Sequence, residues 1–197
     1  MPQGATWLSD RGLASLLTRL PALHLLDVSG ATSLRGSPLL ALLLGAARPD
    51  LGWDVDTAAS LEGEIESRIE RLMDAAASLA GTSAAPEAAS GAPSGAGDGD
   101  GHSGAAASAL RALAQLAELL QQGAGGQRGL QQAAPAPMLR SVCLERCSAV
   151  SEPRLAALML ACPSLEALTT PGGASSAMSP RLQALQALVL KSAGSAG

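Results

Sequence analysis

The chain has 197 residues, a net charge of −4 at neutral pH and a pI near 5.1. It contains no Phe or Tyr and only Trp7 and Trp53 as aromatic residues, so Leu and Ala must fill its core. An acidic chain with neither a basic stripe nor an aromatic stacking platform argues against nucleic-acid and anionic-membrane partners, and no apolar run approaches the roughly 20 residues of a membrane-spanning helix.

Residues 1–7 carry no charged segment leading into an apolar run, so no secretory signal is expected and the predicted location is cytoplasmic. The odd count of three cysteines fits reduced thiols in that compartment. Leu13 and Leu16 then recur at helical spacing behind Ser9, a candidate N-cap. From Leu23 the period changes. Leu26 and Val28 alternate as in a strand, Ala31 and Leu34 follow, and Ser37-Pro38 opens a helix carrying Leu39 and Leu42. Residues 51–55 read as a second strand, one residue short of the others.

An insertion follows. Leu61, Ile65, Ile69, Leu72 and Met73 form an apolar stripe among Glu62, Glu64, Glu66, Arg68, Glu70 and Arg71, which predicts an amphipathic helix over 57–80. Residues 81–104 are almost wholly Gly, Ala, Ser, Pro and Asp, too poor in apolar side chains to offset the entropy of ordering, and read as a disordered linker. A helix resumes over 105–122, read as the helical half of a third repeat, and 123–136 reads as a flexible loop. The pattern of strand, turn and helix then returns at 139–162, and Pro180-Arg181-Leu182 predicts a last helix over 180–191; a strand through Leu185, Leu188 and Leu190 is the rival reading.

These segments are versions of one another. Pro21-Ala22-Leu23, Pro49-Asp50-Leu51, Pro137-Met138-Leu139 and Pro163-Ser164-Leu165 each lead into an apolar run. The steps from Leu8 to Leu34 and from Leu139 to Leu165 are both 26 residues, and such a fixed period marks a repeat architecture.

Leu139-x-x-Val142-x-Leu144-x-x-Cys147, with Val150-Ser151-Glu152 and Cys162-Pro163-x-Leu165, resembles the leucine-rich repeat family, in particular the cysteine-containing subtype of F-box-type ubiquitin-ligase substrate receptors. The resemblance covers roughly 8–56 and 105–191. It implies an α/β fold: a short leucine-rich-repeat solenoid with parallel strands on the concave face, helices on the convex face and a partly disordered insertion. The expected parts are N-terminal repeats (8–56), the inserted amphipathic helix (57–80), the linker (81–104) and C-terminal repeats (105–191) with a loop at 123–136.

In that register Leu25, Asp27, Ser29, Asp54, Asp56, Ser141, Cys143, Glu145, Ala167 and Thr169 line the concave face, together with Pro171. The face leans acidic and suits a basic segment of a protein partner. No cofactor and no metal is expected. Cys143, Cys147 and Cys162 lack the paired knuckles of structural zinc, and His24 and His102 are distant in sequence. Asp98-Gly99-Asp100-Gly101-His102 lacks both the ligand run of a calcium loop and the flanking strand and helix of a phosphate loop. No catalytic constellation is present, so the chain reads as non-catalytic. Its expected function is a protein-interaction module, with a substrate-recognition part of a ubiquitin ligase implied by the resemblance, although no adaptor-docking motif is evident in residues 1–20. The alternative is a structural scaffold, or a fragment of a larger repeat assembly such as a cytoskeletal or axonemal one.

Overall fold

The computed structural model describes residues 8–20, 22–47, 55–83, 101–122, 138–172 and 178–194. In chain order these form α1 (Asp10–Arg19), β1 (Leu25–Asp27), α2 (Ser37–Ala47), α3 (Val55–Ser60), α4 (Glu62–Ser83), α5 (Gly101–Gln122), β2 (Ser141–Cys143), α6 (Glu152–Ala161), β3 (Ala167–Thr169) and α7 (Pro180–Gly194). The strands make one parallel sheet in the order β1-β2-β3.

Each strand is short because the extended pattern lasts only three residues before a turn. Leu26, Val28, Val142 and Leu144 point into the core at 5, 2, 1 and 1 % exposure. After β1 the chain turns through Ala31 N to Val28 O and Leu34 N to Ala31 O; after β2 it does so through Cys147 N to Leu144 O and Val150 N to Cys147 O. The turn pivot is Ala31 in one unit and Cys147 in the next, both fully buried. Ser9 Oγ accepts from the N–H of Gly12 and caps α1, and Ser179 Oγ accepts from the N–H of Leu182 in α7. Pro153 and Pro180 occupy the first turns of α6 and α7, where no helical N–H is lost.

The leucine-rich-repeat solenoid expected from the sequence is not the fold. The described residues are mostly helical, seven helices against three three-residue strands. The reason lies in what covers the helices. A solenoid leaves the outer helix faces in water, but Leu39 to Leu44 of α2 are all buried, and so is α6 apart from its first residue and Leu160. An element apolar on every side must be covered on every side. The cover is chiefly α3 on α2 and α4 on α6, with α5 packed on α4. The helices α4 and α5 run antiparallel: Arg68 donates to the carbonyl of Gln115, while Ser78 and Ser108 line the same cleft. Ile65, Ile69, Leu72 and Met73 of α4 are fully buried, and α4 packs on α6, α7 and α2. The molecule is therefore layered as sheet, helix row and helical hairpin around one core.

Two local expectations fail with it. Residues 51–54 lie outside the described residues, Val55–Ser60 is helix, and β1 pairs directly with β2, so no strand stands between them. The 105–122 segment is not the helical half of a strand unit. It belongs to α5, which packs chiefly on α4. Of the predicted linker, 81–83 end α4 and 101–104 begin α5; 84–100 and the predicted loop at 123–136 lie outside the described residues.

Candidate functional site

Because successive strand residues face opposite ways, the residues between the buried ones share the open face of the sheet. The register fixes their neighbours. Leu25, Ser141 and Ala167 form one row across the strands, and Asp27, Cys143 and Thr169 form the next. The row beyond follows from the N–H of Gly30 donating to Glu145 and that of Arg146 to Pro171, which brings Ser29, Glu145 and Pro171 level. Three rows of three thus make one patch.

Leu25 is 64 % exposed, so the patch carries one large apolar side chain open to water. Asp27 and Ala167 are exposed, and the other six are half-buried. Asp27 Oδ1 accepts from Ser29 twice, from Oγ at 2.5 Å and from the backbone N–H at 3.0 Å. These bonds favour the carboxylate and hold the Asp27 carboxyl below its ordinary value. Ser29 Oγ also lies 3.1 Å from Cys143 Sγ, joining β1 to β2 on the patch. The Glu145 carboxylate lies 3.9 Å from the Arg146 guanidinium.

The ten predicted residues divide. Leu25, Asp27, Ser29, Ser141, Cys143, Glu145, Ala167 and Thr169 come together on the patch. Asp54 lies outside the described residues. Asp56 falls in α3, which packs on α2 and α4 and not on the sheet. Among the described residues, the acidic character predicted from four carboxylates rests on Asp27 and Glu145.

The remaining thiols are packing groups. Cys147 Sγ donates to the carbonyl of Val28 at 3.3 Å, and burial pushes its thiol up; burial pushes that of Cys162 up to about 11. Neither is a ready nucleophile or metal ligand at neutral pH. Among the described residues no group of three or more His, Cys, Asp or Glu could hold a metal ion.

A polar cluster away from the patch was missed from sequence. Arg154 of α6, 9 % exposed, pairs with Glu62 and with Glu66 (2.7 Å) and donates to the carbonyl of Arg35. Ser151 Oγ donates to Glu66, and Ser37 Oγ to Glu62. Asp10 of α1 accepts from the backbone N–H groups of Arg35 and Gly36 beside it. The cluster locks α4 onto α6 and α1 onto the turn before α2. Its one sequence signal was Glu62 and Glu66, one helical turn apart at the margin of the apolar stripe.

Comparison of the chain with protein-family models, curated proteins and solved structures returns no match. Among the described residues no helix is long and apolar enough to cross a membrane.

Proposed function

We propose that this chain is a non-catalytic protein-interaction module that binds a basic segment of a protein partner on the open face of its sheet. The observation that carries the reading is the patch itself. An exposed leucine, Leu25, stands in the row beside Asp27, whose charge Ser29 secures, and Glu145 lies one row further on the neighbouring strand. An apolar anchor flanked by carboxylates matches a partner segment carrying an apolar residue next to Lys or Arg, the charges steering encounter and the leucine supplying contact area. The three free thiols support placing the module in the reducing cytoplasm. Membership of a ubiquitin-ligase substrate receptor rests on the sequence resemblance, and the same experiment addresses it.

That experiment is affinity capture from cytoplasmic extract with the native chain and with Asp27→Lys/Glu145→Lys, the bound proteins being identified by mass spectrometry. The reading predicts equal melting temperatures and partners lost about ten-fold or more by the variant, since opposed charges at a rim cost affinity and encounter rate. Equal capture by both chains would overturn it. Cullin and adaptor subunits among the lost proteins would indicate the ligase role, and cytoskeletal polymers the scaffold.

A further inference from the structure

The three strand units are not equally covered. Leu139, Val142 and Leu144 of the middle unit are 0, 1 and 1 % exposed. Their equivalents in the third unit, Leu165, Leu168 and Thr170, are only half-buried. Backbone hydrogen bonds show the same step. Val28 and Gly30 donate to Cys143 and Glu145 on the next strand, and Leu144 and Arg146 donate in the same way to Thr169 and Pro171. Thr170 and Gly172 hold the corresponding places on the third strand, where among the described residues their N–H groups meet no backbone acceptor. In the other direction, His24 O accepts from Arg140 and Ser141, and Arg140 O accepts from Glu166 and Ala167. Glu166 O holds the next such place and has no backbone donor among the described residues. Beside this edge, between α6, β3 and α7, opens a small notch of about 20 Å³ lined by Met159, Cys162, Leu165, Leu168, Gln186 and Val189.

The geometry points to this edge and notch as a docking site for an extended segment of a protein partner, added in parallel as a fourth strand. The site continues an interface the molecule has already made twice. β1–β2 and β2–β3 share one direction and one register, so the acceptor at Glu166 and the donors at Thr170 and Gly172 are spaced for a third strand of the same kind. The apolar chemistry continues as well. Leu139 and Val142 lie beside Leu23 and Leu26, and Leu165 and Leu168 beside Leu139 and Val142. The incoming segment therefore carries apolar residues three apart. Main-chain bonds supply affinity, and the half-buried Leu165 and Leu168 favour apolar side chains against them. This site is the edge of the sheet, separate from the patch on its open face, and stands whether or not the patch binds a basic partner.

The probe is a fluorescent synthetic peptide with the sequence of residues 138–150, the segment that fills the equivalent place beside β1. The expected result is saturable binding with a Kd below about 1 mM, with hydrogen-exchange protection gained at residues 166–172. Thr170→Pro removes one edge donor, and Val189→Glu places a charge in the notch. Each should weaken binding about ten-fold or more while leaving the melting temperature within a few degrees of the parent. Absence of saturation, protection gained at β1 instead, or equal binding by both variants would overturn the proposal. So would self-association that occupies the edge without peptide.

Discussion

At the scale of single residues, the least replaceable position is Gly36. Its φ of +98° is one that side-chain-bearing residues rarely adopt, and a Cβ there would stand 2.9 Å from Cδ of Arg154. The glycine is what lets the buried guanidinium reach the carbonyl of Arg35. Cys162 offers a different test. Its folded value of about 11 lies above the ordinary 9.0, so the folded chain keeps a proton that the unfolded chain releases. Its contribution to stability is complete below pH 9 and is lost as pH rises toward 11. The chain has no Tyr and a single lysine, Lys191, but burial raises the Cys147 thiol as well, so the comparison with a Cys162 variant isolates the Cys162 contribution. The unfolding free energy from urea titration should therefore fall between pH 8.5 and 10.5, by on the order of 1 kcal/mol per pH unit, and fall less steeply in Cys162→Ala. The same slope in that variant would show that the thiol titrates freely in the fold.

At the scale of elements, the decisive contact is α4 on α6. Burial draws the Arg154 guanidinium below its ordinary value, with Asp10 acting against that, yet an arginine stays charged throughout the usable pH range. Removing it leaves Glu62 and Glu66 facing α6 without a cation. Because both acids keep some contact with water, Arg154→Met should cost about 2–3 kcal/mol, below the full cost of an orphaned buried charge. Reverting part of that loss by adding Glu62→Gln and Glu66→Gln would confirm that the orphaned carboxylates, not lost packing, carry it. A loss under about 0.5 kcal/mol would place the cluster among ordinary surface pairs. Such a contact could not be read from sequence. The apolar stripe at Ile65, Ile69, Leu72 and Met73 marked α4 as a helix with a buried side, but spacing carries no address for the partner surface. The alternation at Leu26 and Val28, and at Val142 and Leu144, was more informative, since it defined both the buried residues and those opposite them.

At the scale of the whole molecule, local segments were legible and the architecture was not. The turns after β1 and β2 match at Ala31 and Cys147, 116 residues apart, but no repeat array follows from them. A period says how units resemble each other, and nothing of what else packs on them. The clue against an open solenoid was α2 itself, whose sequence from Pro38 to Ala47 offers no polar side for water. Asp56 was assigned to the patch on the same periodic extrapolation, which does not hold where β1 and β2 pair directly and Val55–Ser60 is helix; Asp54 lies outside the described residues. The patch survives because its rows are set by strand register alone.

The central claim is that sheet, helix row and hairpin share one core and open together. Native-state hydrogen exchange measures this directly in the unmodified chain. The amides of Val142 in β2, Leu158 in α6 and Leu72 in α4 should exchange with one common opening free energy, equal to that of global unfolding. If α4 exchanges with a much lower opening free energy while β2 and α6 stay protected, the hairpin is an appendage and the layered core described for this fold is wrong.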